Sequence, residues 1–309
     1  MITYFSKEGG LKVLPAYEKN CWINVEKPTN EEVKILSGIF SIPEDFITDI
    51  LDIDERSRLE IEDKWLFIII RIPVHVVNDG VPYITVPLGI LISDETIITI
   101  CQYDNDVIPL FIRQERLRKI DFENNMSFVL QIFLIAANTY LKYLKQINIQ
   151  TSIIEADLER STRNKELQRL LKMEKCLVYF ITSLKSNELV LARMKSSRHI
   201  QMNEYNEDFL EDVIIENKQA LEIANIYSDI QSGLMDAFAS VISNNLNAIM
   251  KRLTSVTIIL MIPTLIASFF GMNIKNYLEL SSSGFYIVVS ASLALAIGIA
   301  YFFRKINWL

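Results

Sequence analysis

Asn247, Met250, Thr254, Thr257, Met261, Thr264, Ser268 and Gly271 recur at every third or fourth position near the C-terminal end of this sequence. That spacing puts side chains on one face of an α-helix. The stripe gathers nearly all the polar groups of an otherwise apolar run, while Ile258, Ile259, Ile262, Leu265, Ile266 and Phe269 take the other faces. Inside a bilayer, polar side chains turn toward protein or toward water. Two readings of the stripe follow. In one, the hydroxyls bond carbonyls of their own helix and the face packs against a second span. In the other, identical copies of the helix surround a watery axis lined by rings of Asn, Thr and Met. Two spans do not enclose a pore, so the second reading requires a symmetric homo-oligomer.

Asn273 follows Gly271 and Met272 at the end of the run, where glycine permits close backbone approach. A ring of neutral amide oxygens suits a hard cation that keeps its water, because Mg2+ dehydrates reluctantly. A turn glycine followed by a capping Asn is the plainer account of Gly-x-Asn taken alone.

These residues sit in one of two charge-free apolar windows, 253–272 and 284–303. About 20 apolar residues cross the hydrocarbon as a helix. Both windows lie too near the C-terminal end for a signal peptide, and the opening MITYFSKEGG has no hydrophobic core segment. Lys251 and Arg252 precede the first window and Arg304 and Lys305 follow the second, while the connector carries only Lys275, offset by Glu279. The positive-inside bias therefore places both ends in the cytoplasm and the short loop outside.

With 31 Lys and Arg against 38 Asp and Glu, the formal charge is −7, which argues against nucleic acid as a partner. Cys21, Cys101 and Cys176 are too scattered for a disulfide framework or a metal knuckle and read as small buried hydrophobes. His75 and His199 have no second His or Cys at metal-ligand spacing. No nucleophile–base pair or glycine-rich phosphate loop points to an enzyme, and no organic cofactor is implied.

Glycine and proline organise the remainder. Twelve of them fall at or before Pro109 and none lies between Leu110 and Ser232, so that interval reads as helical. Before it, strands are predicted within 21–25, 65–77, 82–92 and 96–102, with turns at Asn78-Asp79-Gly80 and Ser93-Asp94. Helices are predicted after Pro28-Thr29-Asn30 and at Pro43-Glu44-Asp45. The charged stretch 155–166 reads as an exposed helical arm or hairpin. From about 207 only Gly233 interrupts the helical pattern before Pro263, which predicts one continuous rod running into the first span.

The stretch "SGLMDAFASVISNNLNAIMKRLTSVTIILMIPTLIASFFGMN" and the closing "RKINWL" resemble the CorA family of magnesium transporters. The likeness rests on Met250, Lys251, Leu253 and Thr254 at the entry, Pro263 in mid-span, Gly-Met-Asn at the end, and a basic tail closing in Trp-Leu. More loosely, "DILDIDERSRLEIEDKWLFIIIRIP" looks like the family's N-terminal acidic helix followed by a core strand. The resemblance implies an α+β cytosolic domain with a mixed or antiparallel sheet flanked by helices (1–120). Long cytosolic helices with a stalk at about 207–252 would follow (121–252). Then come a pore helix (253–272), an external loop (273–283), a second span (284–303) and a basic tail (304–309), assembled as a funnel-shaped homo-pentamer in a bacterial or archaeal cytoplasmic membrane.

The resemblance also implies site roles. Gly271, Met272 and Asn273 match the selectivity motif for hydrated Mg2+, and Thr264 a polar position below it. Met261, Leu253 and Met250 match a hydrophobic constriction, with Asn247 at its cytosolic mouth. Regulatory Mg2+ would bind between subunits at Asp212, with a partner near Val74 to Gly80, for which Asp79 is the candidate. The loop reads Tyr277-Leu278-Glu279-Leu280 where the family often has Met-Pro-Glu-Leu; Glu279 is retained, and Lys275 stands where an acid is frequent. The implied activity is channel-like Mg2+ uptake with Co2+ and Ni2+ as further cargo. Proton-coupled zinc or cobalt transport and a membrane-anchored scaffold are the alternatives.

Overall fold

Alternation along Trp65-Leu-Phe-Ile-Ile-Ile-Arg-Ile-Pro-Val sets the architecture of the first two-thirds of the chain. Phe67 and Ile69 pack into one buried cluster, and Ile68, Ile70, Ile72 and Val74 into another. A strand covered on both faces reads as a continuous apolar run for this reason. The computed structural model describes residues 1–6, 11–62, 64–77, 80–94, 96–118, 125–160, 164–197, 200, 202–272 and 283–308. It divides into two compact units, Met1–Leu234 and Met235–Leu309.

In the first unit a seven-stranded mixed sheet runs in the order β2-β1-β3-β7-β6-β5-β4. The strands are β1 (Ile2–Ser6), β2 (Lys12–Leu14), β3 (Cys21–Glu26), β4 (Arg58–Glu62), β5 (Trp65–His75), β6 (Tyr83–Ile92) and β7 (Ile97–Cys101). Only β3 and β7 pair in parallel; the rest are antiparallel. The four predicted strands are present as β3, β5, β6 and β7. The Ser93-Asp94 turn closes through Ser93 N–H donating to Thr96 O at 2.9 Å. Asn78 and Asp79 lie outside the described residues. The expectation of a helix leading into β5 fails after Leu51. Arg58-Leu-Glu-Ile-Glu alternates with period two and pairs with β5 as the edge strand β4, where exposed charges suit a sheet edge.

One face of the sheet carries α1 (Asn30–Phe40) and α2 (Glu44–Leu51). The start of α1 is set by a capping box: Glu32 N–H donates to Thr29 Oγ1 at 3.3 Å, and Thr29 N–H to Glu32 Oε2 at 2.8 Å. Gly89 lets α2 sit close. A Cβ there would lie 2.2 Å from Ile50 Cδ1.

The opposite face carries α3 (Val107–Arg118), α4 (Asn125–Arg160), α5 (Asn164–Ser196) and the start of α6 (Glu204–Phe270). Among the described residues, the glycine- and proline-free interval is helical almost throughout, as predicted. Its helices nevertheless share the sheet's core through Phe111, Phe128, Phe133, Leu191 and Val213. The boundary drawn between 1–120 and 121–252 is therefore not a boundary in packing: the apolar faces of these helices bury against the sheet and against one another. The 155–166 stretch contains the end of α4 and the start of α5, with Asp157 and Arg169 3.7 Å apart. It is not exposed all round, because Leu158 is buried.

The edge beyond β4 is closed by a side chain. Pairing of β4 with β5 ends at Arg58 opposite Ile69, and Asn187 of α5 takes over at Arg71. Its Oδ1 accepts from Arg71 N at 2.9 Å and its Nδ2 donates to Arg71 O at 2.8 Å. The Arg71 guanidinium donates to the carbonyls of Ile53, Glu55 and Thr85 at 2.8, 2.6 and 2.6 Å. Burial pushes its pKa down, opposed by Tyr140, Asp54, Glu55 and Asp52. Cys21, Cys101 and Cys176 are all buried, as expected.

Among the described residues, three helices are long and apolar enough to span a bilayer. The apolar window of α4 is 72% buried within the protein, whereas those of α6 and α7 (Gly284–Lys305) are 6% and 11% buried. Packing on the sheet thus accounts for α4. The other two coincide with the windows at 253–272 and 284–303.

Candidate functional site

The α-helix expected from about 207 is α6, which begins at Glu204 and continues through Pro263 to Phe270. Proline lacks the N–H that would meet the carbonyl of Ile259, a break that spanning helices tolerate. Gly271 N–H still donates to Ala267 O at 2.9 Å and Met272 N–H to Phe269 O at 3.4 Å, so the last turn tightens as the helix ends. At Gly271 a Cβ would stand 3.3 Å from Ala267 O, which makes glycine the easy residue there. Asn273 and Glu279 lie outside the described residues.

The second unit is described by the C-terminal part of α6, by α7 and by the tail. On α6, Ser255 is fully buried and Ile258, Ile259, Ile262, Pro263 and Ile266 are partly covered. On α7 the buried positions are Gly284, Ser292, Ala296 and Phe303, which form a single stripe. This α7 stripe is the covered face of that helix. Small residues along it permit the close approach that helices use in lipid.

Asn247, Met250, Leu253, Thr254, Thr257, Met261, Thr264, Ser268 and Gly271 are all exposed. At 3.6 residues per turn, the centre of this stripe lies roughly 150° around α6 from the covered face. The two sequence readings are therefore separated in part. The hydroxyls do bond their own helix, Thr257 Oγ1 to Leu253 O at 2.9 Å and Thr264 Oγ1 to Leu260 O at 3.0 Å. The covered positions of α6 lie on the Ser255 and isoleucine face and not on the stripe. A hydroxyl that donates to its own backbone keeps lone pairs for an incoming donor such as a cation-bound water.

Lys251, Arg252, Arg304 and Lys305 are exposed at matching ends of the two helices. Sequence reasoning noted the Trp-Leu close but not its geometry. Asn307 takes a left-handed φ of 56°, and Trp308 folds back to stack on Phe303 with ring centroids 5.7 Å apart. The small-residue stripe of α7 was also missed, although Gly284, Ser292 and Ala296 at multiples of four could have revealed it.

In the first unit the acids at the start of α6 are not equivalent. Glu211 accepts from Lys195 Nζ at 2.6 Å, and that lysine holds its carboxyl below the usual range. Asp212 is exposed and makes no hydrogen bond or ion pair with the described residues. No group of three or more His, Cys, Asp or Glu that could hold a metal ion converges among the described residues. Asp79 lies outside them, as does His199. His75 is exposed and its ring lies against Tyr83 at 5.1 Å.

The family model described as "CorA-like Mg2+ transporter protein" matches residues 17–305. The cobalt/magnesium transport protein CorA of Methanocaldococcus jannaschii is 28% identical over 297 residues, covering 93% of this chain and 91% of the relative. The protein of the same name from Thermotoga maritima is 23% identical over 292 residues, covering 93% and 83%. The solved complete structure of the CorA magnesium transporter from M. jannaschii superposes with a TM-score of 0.86 at 24% identity, covering 100% of this chain and 99% of that one.

Proposed function

The chain belongs to the CorA-like Mg2+ transporter family, and on that premise we propose that it carries hydrated Mg2+ inward through a channel-like pore at the axis of a homo-pentamer. The observation that carries this reading is the exposed stripe from Asn247 to Gly271, which turns away from the covered face of α6. Hydroxyls and an amide set in hydrocarbon call for a wet or protein-lined surrounding, and further copies of α6 supply one. Two helices per chain make such copies necessary.

In this reading Asn273, presented by Gly271 and Met272, meets the ion's water shell, and Glu279 near the mouth adds negative charge. Thr257, Thr264, Ser268 and Thr254 offer oxygens along the path. Met261, Leu253 and Met250 form a constriction that closes by dewetting, with no charge in the pore, and Asn247 marks its cytosolic mouth. Co2+ and Ni2+, hydrated divalent ions of similar kind, follow the same route. The membrane is the cytoplasmic one, with both termini inside on the strength of Lys251, Arg252, Arg304 and Lys305.

Gating follows from Asp212. A carboxylate left without a neutralising partner, beside Glu211 which has one, is suited to bridge a regulatory Mg2+ to a neighbouring chain, with Asp79 as its counterpart. Copies of Asp212 repel when cytosolic Mg2+ falls, and the closed state loses its brace.

Flux into vesicles containing purified protein tests the reading, with Asn273→Ala and Asp212→Ala beside the wild type. Mg2+ entry should be abolished in the first and should resist inhibition by internal Mg2+ in the second. Unchanged entry in Asn273→Ala would remove the selectivity role, and unchanged inhibition in Asp212→Ala the sensing role.

A further inference from the structure

One cleft of the first unit has no residue assigned to transport in its lining. Its volume is about 690 Å3, and it is bounded by β5 and β6, by the segment that follows α2, and by one face of α5. That size is in the range of small-molecule sites.

Its lining is sorted by chemistry. Val178, Tyr179 and Leu189 of α5 present exposed apolar surface into it. Arg71 stands in the wall, and Arg56 and Lys185 on the rim. Against these three cations the lining holds one carboxylate, Asp54. The nearby Glu55 carboxylate is taken by Arg58. The Arg71 guanidinium is hydrogen-bonded only to carbonyls and hydroxyls, so it has charge but no salt-bridge partner. Arg56 and Lys185 are exposed and make no hydrogen bond or ion pair with the described residues.

The walls are also fixed in place. Ser57 N–H donates to Ser186 Oγ at 3.1 Å and Ser57 Oγ donates to Asn187 Oδ1 at 2.7 Å, tying the segment after α2 to α5. Ser183 Oγ donates to Thr85 Oγ1 at 2.8 Å, tying α5 to β6. A cleft held open by buried bonds loses little entropy when filled.

We propose that this cleft binds a nucleoside phosphate. The phosphate sits between Arg56 and Lys185, where charge-assisted bonds are strongest, and the base lies on Tyr179 and the aliphatic wall beside it. Two cations without a partner among the described residues, Arg56 and Lys185, in a chain whose formal charge is −7, select anions. The aromatic wall favours a flat body over an inorganic ion.

Titration calorimetry on the full chain in detergent, with EDTA present to exclude metal, tests this using AMP, adenosine, inorganic phosphate and dodecyl phosphate. AMP should bind saturably, and adenosine and phosphate each about tenfold or more weaker. Arg56→Ala with Lys185→Ala should weaken AMP about tenfold or more, and Leu189→Glu should also weaken it. All three positions are exposed, so the fold is retained, and an unchanged circular dichroism spectrum checks this. Absence of AMP binding, AMP affinity unaltered in the variants, phosphate binding as tightly as AMP, or a preference for dodecyl phosphate would each overturn the proposal. Because metal is excluded and no flux is read, the outcome is independent of the transport mechanism.

Discussion

Each thiol of this chain is buried, and burial gives them a measurable signature. Desolvation pushes Cys101 up to about 11 and Cys176 up to about 12 from an ordinary value of 9.0, because a thiolate is poorly accommodated in an apolar core. Burial raises Tyr140 and Tyr143 in the same direction. The sign of the linkage follows. Below about pH 9 the proton is held in both folded and unfolded chains, so stability from these groups is fully present. Above it the unfolded chain releases protons that the folded chain keeps, and stability falls until the folded values are reached. Denaturation midpoints should therefore decline steeply above pH 9, and iodoacetamide at pH 8 should label no cysteine until the chain is unfolded. Labelling of the native protein at that pH would contradict the buried environment of the thiols.

Helices and strands were legible where one physical signal dominated. The run Trp65-Leu-Phe-Ile-Ile-Ile announced β5 because both its faces are covered. Thr29 and Glu32 announced the start of α1 because two backbone donors need them. The elements that were missed had weak or mixed signals. β2 is three residues long and β4 alternates apolar residues with charge at a sheet edge. The stripe on α6 was legible as a stripe, but which face of the helix is covered depends on what packs against it. On α7 the covered face carries the small residues Gly284, Ser292 and Ala296. Replacing Ala296 with Leu should wedge the hairpin apart and cost about 1–3 kcal/mol, the usual range for overpacking. Leu295→Ala, at an exposed position, should change stability by less than about 0.5 kcal/mol. Thermal unfolding of both variants in one detergent measures the contrast, and equal losses would mean that the covered face has been misassigned.

For the assembled protein the driving force distinguishes the two transport classes that the family resemblance leaves open. The exposed stripe of α6 has no ionisable side chain between Thr254 and Gly271, so along it nothing can take up and release a proton in step with a metal ion. On the proposed route along this stripe, the membrane potential would do the work. At about 2.3 kcal/mol per charge per 100 mV, a divalent ion gains about 4.6 kcal/mol on entering an interior 100 mV negative. That is about three decades in accumulation at equilibrium. Vesicles given an inside-negative potassium diffusion potential with valinomycin should therefore take up Mg2+ faster than vesicles held at zero potential, and an imposed pH gradient at zero potential should have no effect. Uptake that followed the pH gradient and ignored the potential would favour proton coupling. It would also require an ionisable relay outside the stripe, for which Glu279, the one acid of the connector, is the first residue to neutralise.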